Sequence, residues 1–149
     1  MKVIAAGPEA AAVFAALHAA AFDVPWSPSA FHGTLLGLGA FGLVALRDDD
    51  PVGLLVGSAA GDSADVLTVG VAPPARRSGA GRALMAAAER EARARGVAAI
   101  VLEVAVDNAA ARTLYAALGY EQVSVRRAYY GRGDEPRADA LVLRKSIRP

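Results

Sequence analysis

The chain has 149 residues, the length of one ordinary domain and enough to bury a core without disulfides or structural metal. Its net charge of +1 excludes an overall basic surface for nucleic acid, and its lack of cysteine excludes disulfides, thiolate metal sites and a cysteine nucleophile. No apolar run reaches the roughly 18 residues of a membrane span, and Met1 to Pro8 does not read as a secretory signal, so a cytoplasmic protein without membrane contact is expected.

A short strand around Lys2 to Ala5 opens the chain. Pro8 to Phe22 reads as a helix, with Val13, Phe14, Leu17 and Ala21 along one face. Phe22 to Trp26 breaks it. Ser27 then serves as an N-cap and Pro28 as the first residue of a short helix running to Leu36. Phe41 to Arg47 and Val52 to Ala60 read as a hairpin around a turn at Arg47 to Pro51. Val66 to Val71 is a further strand, Gly79 to Arg95 a helix closed by Gly96, and Ala98 to Val104 a nearly continuous apolar strand. Asn108 to Leu118 is a helix ended by Gly119, and Gln122 to Arg127 and Ala140 to Leu143 are closing strands. A hairpin followed by strands alternating with helices predicts one domain over residues 1–149 with a mixed α/β sheet.

His18 and His32 stand far apart without ligand-spaced companions, so each is expected as a partly buried or surface side chain, and no metal site is expected. Asp48 to Asp50 falls on the predicted hairpin turn and reads as a solvated cluster. The arginines gather at Arg76, Arg77 and Arg82 and again at Arg126, Arg127, Arg132 and Arg137.

The first of these arginine groups surrounds Arg76-Arg77-Ser78-Gly79-Ala80-Gly81-Arg82, a glycine turn between a strand and a helix. Such a turn is an anion site. Glycines let backbone approach closely, the first helical N–H groups lack intrahelical partners, and the helix dipole favours negative charge. A dinucleotide fingerprint would need a third glycine where alanine stands, and a nucleotide P-loop would need lysine followed by serine or threonine. A plain tight turn into a helix remains open on these residues alone.

The same stretch fits the pattern Gln/Arg-x-x-Gly-x-Gly/Ala, and here the chain resembles the GNAT superfamily of N-acetyltransferases. Val24-Pro25-Trp26-Ser27, Leu102-Glu103-Val104, Asn108 to Ala111, Leu114-Tyr115, Leu118-Gly119-Tyr120 and Arg126-Arg127-Ala128-Tyr129-Tyr130 narrow the resemblance to bacterial ribosomal-protein-alanine N-acetyltransferases of the RimI type. It covers roughly Asp23 to Leu143. The resemblance implies a mostly antiparallel sheet, splayed at the coenzyme site and flanked by about four helices. It implies an acetyl-CoA site in which Val69, Gly70 and Val71 meet the pantetheine arm. By the same resemblance the N–H groups from Arg77 through Arg82, with Arg76 at the head of the loop, would hold the pyrophosphate.

Glu103 interrupts an apolar strand. It is either a glutamate at a solvated strand end or, as the resemblance implies, the general base that takes the amine proton. Tyr115 shares a helical stripe with Ala111, Leu114 and Leu118. It is either a core aromatic or, by resemblance, the acid that protonates the departing thiolate. Asn108 reads as an N-cap, to which the resemblance adds a coenzyme contact. Trp26, Tyr129 and Tyr130 are the candidates for contacting a peptide acceptor. The run Gly131 to Pro136 departs from the family, in which proline often follows the tyrosines.

An α-amine has a pKa near 7.8 and a lysine near 10.4, so at pH 7 about one α-amine in seven is neutral against roughly one lysine in 2,500. A single carboxylate base therefore suits a protein N-terminus, with Ala or Ser first, better than a lysine. Acetylation of lysine or of a small amine stands as the alternative, and a non-catalytic acetyl-CoA-binding module as another. A monomer is expected from the family alone.

Overall fold

A computed structural model describes residues 1–127 and 139–148 of the chain. In order these form β1 (Lys2–Ala5), α1 (Ala11–Ala21), α2 (Pro28–Leu35), β2 (Ala40–Arg47), β3 (Asp50–Ala60), β4 (Ser63–Val71), α3 (Ala80–Ala94), β5 (Ala99–Ala105), α4 (Ala109–Ala117), β6 (Glu121–Arg126) and β7 (Ala140–Ser146). Single 3₁₀ turns precede α1 at Pro8–Ala10 and follow β4 at Pro73–Ala75.

The strands form one seven-stranded sheet in the order β1-β2-β3-β4-β5-β7-β6. Every neighbouring pair is antiparallel except β4 with β5. The β2–β3 hairpin turns through Asp48 and Asp49, at φ 51° and 67°. Two consecutive left-handed residues suit the strand twist, and aspartate tolerates that region better than most side chains. The turn is shorter than Arg47 to Pro51, because Asp50 already pairs with Arg47.

Helices cover both faces of the sheet. On one face α1 and α2 bury Phe14, Leu17, Phe31 and Leu35 against Val44, Leu54 and Val56. On the other, Leu84, Met85, Ala88 and Ala92 of α3 and Tyr115 of α4 pack with Leu55, Leu102, Val104, Leu141 and Leu143. Beneath α3, the buried Glu89 accepts from Lys145 Nζ at 2.8 Å and from the Tyr120 hydroxyl at 3.4 Å, so its charge is partnered.

Two readings of α1 need correction. Val13 is 39% exposed, whereas His18 is 2% exposed. The buried stripe is Ala11, Phe14, Ala15, Leu17 and His18, and Val13 falls off it. Ser27 caps α2 as its sequence suggests, its hydroxyl accepting from Ala30 N–H at 3.0 Å.

Candidate active site

The parallel pairing of β4 and β5 is short. It joins Ser63, Ala64 and Asp65 to Ala99, Ile100 and Val101, and beyond Val101 the two strands part. β4 meanwhile stays paired with β3 out to Val71, and β5 stays paired with β7 out to Ala105. The sheet therefore holds a wedge whose two walls are unpaired strand edges.

Register fixes which groups line the wedge. Ala72 N–H donates to Val52 O at 2.8 Å. Antiparallel pairs alternate between hydrogen-bonded and free, so Gly70 bonds back to β3, while the N–H and C=O of Val69 and Val71 point into the wedge. On the other wall, Val106 N–H donates to Asp139 O at 2.8 Å, which by the same alternation turns the backbone groups of Glu103 and Ala105 toward β4. These are the amide edges an extended, amide-bearing chain would pair with.

The glycine turn closes the wide end of the wedge. Gly79 stands at φ 89° as the N-cap of α3, and Arg77 is left-handed at φ 64°. Ala83 N–H is the first to bond back into the helix, to Gly79 O at 2.9 Å, so the N–H groups of Gly79, Ala80, Gly81 and Arg82 precede the first intrahelical donor. Ser78 N–H differs, since it donates to Ala75 O at 3.3 Å, and the Ser78 hydroxyl donates to the same carbonyl. Arg76 turns inward to the protein. Its Nε donates to Val71 O at 3.2 Å and its Nη2 to Ala21 O at 3.3 Å, tying the loop to the end of β4 and the C-terminus of α1. Gly81 sits where α3, α4 and β4 converge, since a Cβ there would lie 3.3 Å from Leu114 Cδ2 and 4.0 Å from Val71 Cγ2. This cradle of donors fits a phosphate group, and the wedge behind it fits an amide arm.

Glu103 and Tyr115 lie on opposite sides of the sheet. Leu102 and Val104 belong to the α3 face, so strand alternation turns Glu103 to the face of α1 and α2. It is exposed there, two residues past the last β4–β5 pair, and its carboxylate accepts from Arg126 Nη1 at 3.2 Å and 3.3 Å. Tyr115 is buried on the α3 and α4 face, its ring set edge-on to Tyr120 with centroids 6.0 Å apart. Burial raises its pKa, which keeps the hydroxyl protonated. Asn108 caps α4, its Oδ1 accepting from Ala111 N–H at 3.2 Å. Trp26, half-buried, lies on the α1 and α2 face against Phe31 and His18. Tyr129 and Tyr130 lie outside the described residues.

Two participants, Arg126 and His18, carry no role in the site on the sequence alone. Arg126 reaches Glu103 across β7, which pairs with both β5 and β6, so no local spacing announces the pair. His18 does carry a signal, its place on the apolar stripe of α1.

Residues 12–120 match the Acetyltransferase (GNAT) family. The chain is 42% identical over 82 residues to the [ribosomal protein bS18]-alanine N-acetyltransferase of Escherichia coli K12, an alignment covering 55% of either chain, so it spans about half the length of that relative. It is 34% identical over 121 residues to the enzyme of that name from Salmonella typhimurium, covering 80% of this chain and 79% of the other. The fold superposes on the crystal structure of the E. coli ribosomal-protein-S18-alanine N-acetyltransferase with a TM-score of 0.88 and 28% identity, over 99% of this chain and 94% of that one. The splayed strands, the donor loop and the match over residues 12–120 agree: this chain belongs to the GNAT family of acetyltransferases.

Proposed function

We propose that this chain is an acetyl-CoA-dependent N-acetyltransferase. It moves the acetyl group to the N-terminal α-amine of a protein beginning with Ala or Ser, a ribosomal protein being the target its relatives' names suggest. One domain over residues 1–149 does this, as a monomer in the cytoplasm. The reading rests on one observation above the rest: β4 and β5 part after Asp65 and Val101, leaving amide edges between them with Glu103 two residues beyond the last pair.

The loop from Arg77 to Arg82 would hold the pyrophosphate, with the Ser78 N–H excepted because it is already bonded. Val69 and Val71 would pair with the amides of the pantetheine arm, and Arg76 would keep the loop in place. Acetyl-CoA supplies the thioester carbonyl. Glu103 takes the proton lost by the attacking amine, directly or through water. Arg126 must yield the carboxylate for this, which an exposed ion pair worth about 0–1 kcal/mol permits. A backbone N–H near Val71 would stabilise the negative oxygen as the carbon–nitrogen bond forms. Tyr115 donates its proton to the sulfur as the carbon–sulfur bond breaks. Both carriers are then reset by solvent, and no covalent enzyme intermediate is needed.

The test is CoA release from acetyl-CoA with two peptides that begin Ala-Arg and carry one internal lysine, one of them blocked at its N-terminus. Release only with the free peptide is expected. Equal release would move the assignment to lysine. No release with either would point to a small amine or to a binding module.

A further inference from the structure

His18 is a buried polar side chain on the face that Glu103 occupies, where the acceptor amine would enter, and the proposed chemistry makes no use of it. It is 2% exposed. Its ring stacks on Phe22 with centroids 4.2 Å apart and touches Trp26 at 5.4 Å and Phe31 at 5.3 Å. Both ring nitrogens are used. Nδ1 accepts from the Trp26 backbone N–H at 3.0 Å, and Nε2 lies 3.1 Å from Thr68 Oγ1. A nitrogen that accepts an N–H bond carries no proton, so the neutral ring bears its proton on Nε2 and donates it to Thr68.

These two bonds join two parts of the site. Trp26 lies in the segment Phe22 to Ser27 between α1 and α2, which packs on the face that Glu103 occupies. The same segment leans on β4, since a Cβ built at Gly70 would come within 2.7 Å of Phe22 Cε2. Thr68 is next to Val69, whose backbone faces the wedge. We infer that His18 is a positioning residue for the acceptor: its neutral ring pins the Trp26 backbone to Thr68 and so fixes the wall of the acceptor slot against the coenzyme edge. The inference rests on the acceptor side assigned above.

The surroundings keep the ring neutral. Burial lowers the His18 pKa below the ordinary histidine value. The side chains packed on it, Phe22, Trp26, Phe31 and Thr68, carry no charge, and the ionisable groups of the same elements, Asp23, His32 and Asp65, are exposed. A protonated ring could not accept from Trp26, so the pin requires the neutral form.

Three variants separate the two bonds. His18→Asn places an oxygen where Nδ1 stands and gives up Thr68. His18→Gln keeps the reach to Thr68 and gives up the Nδ1 acceptor. His18→Leu gives up both. Leaving the Trp26 N–H unpaired is expected to raise the acceptor-peptide KM about tenfold in the Gln and Leu variants. The Asn variant is expected to stay within about threefold, and the acetyl-CoA KM within about twofold in all three. Unchanged acceptor KM in a folded Leu variant, or equal rises for both substrates, would overturn the inference. Two acceptor-free readings accompany the kinetics. Ring nitrogen NMR of the wild-type protein must show the proton on Nε2, and Trp26 amide exchange must quicken in the Gln variant but not in the Asn variant. A ring protonated on Nδ1 would overturn the pin even if no variant folds. Wild-type protein that leaves the free peptide unacetylated would instead refute the acceptor assignment, with the pin still decided by the NMR and exchange data.

Discussion

Gly79 and Gly81 are two residues apart in one turn, yet the structure predicts opposite outcomes for alanine at each. At Gly79 the backbone is left-handed, φ 89°, and a Cβ would meet nothing within 4 Å. The penalty is therefore conformational alone, about 1–2 kcal/mol. For a chain of this length each kilocalorie lowers Tm by about 2–4 °C. If the loop relaxes to escape the strain, the N–H groups of Gly79 to Arg82 lose their common direction, and coenzyme affinity falls on the order of tenfold. Gly81 lies inside the first turn of α3, where alanine gains up to about 1 kcal/mol of helix propensity. Its Cβ would come 3.3 Å from Leu114 Cδ2, a side-chain end that can yield a few tenths of an ångström. Gly81→Ala is thus expected to keep or raise Tm and to bind CoA within about threefold of wild type. Gly81→Val adds branches toward Val71 and Leu114 and is expected to block binding. Thermal melts without ligand, paired with calorimetric titration of CoA, read both quantities. Wild-type melting and wild-type CoA affinity in Gly79→Ala, or lost affinity in Gly81→Ala, would refute this account of the loop.

Glu103→Gln is expected to leave CoA affinity within about twofold and stability within about 1 kcal/mol, because the pair with Arg126 is exposed, while kcat/KM falls on the order of 10²–10⁴; full turnover would remove Glu103 as the base. Tyr115→Phe keeps the packing and is expected to slow turnover with little change in Tm. A raised folded-state pKa means the stability Tyr115 contributes is present below the unfolded value near 10 and is lost as pH rises through the folded value. The variant should therefore melt with a shallower alkaline decline than wild type, and an identical decline would count against a buried Tyr115 hydroxyl.

Much of this was legible because the signals were local. Ser27-Pro28 sets the start of α2, Gly79 the start of α3 and Asn108 the start of α4, each through a cap acting within a few residues. The start of β4 was not legible. Its first residues, Ser63, Ala64 and Asp65, are not an apolar run and become strand only by pairing with β3 on one side and β5 on the other. Glu103 could be placed on a strand, but its exposure and its bond to Arg126 depend on strand order. The donor loop could be recognised, but not that Ser78 N–H and the Arg76 guanidinium are engaged by the protein itself. The burial of His18 follows from its place on the apolar stripe of α1, but its aromatic shell of Phe22, Trp26 and Phe31 lies beyond that helix and has no local signal.

The wedge itself has a local cause. Val56 pairs with Thr68 and Gly57 with Val66, so Leu67 is an extra residue in β4 with no partner of its own. Such a bulge bends its strand and increases the twist. It falls two residues after Asp65, the last residue of β4 that pairs with β5. Removing Leu67 would keep both flanking registers, since Val66 and Thr68 would then oppose Gly57 and Val56 in unbroken alternation. The side chain lost is 43% exposed, so little core is sacrificed. Straightened, β4 could continue its pairing with β5, and the N–H and C=O of Val69 and the N–H of Val71 would find partners in the sheet in place of a ligand or water, the Val71 carbonyl already accepting from Arg76. The Leu67 deletion is therefore expected to retain or gain thermal stability while losing at least about tenfold in CoA affinity, since the donor loop would remain but the amide edge behind it would close. A deletion variant that binds CoA as wild type would mean that the bulge is incidental and that the strands part for another reason, with the packing of Gly81 against Leu114 and Val71 the next to test.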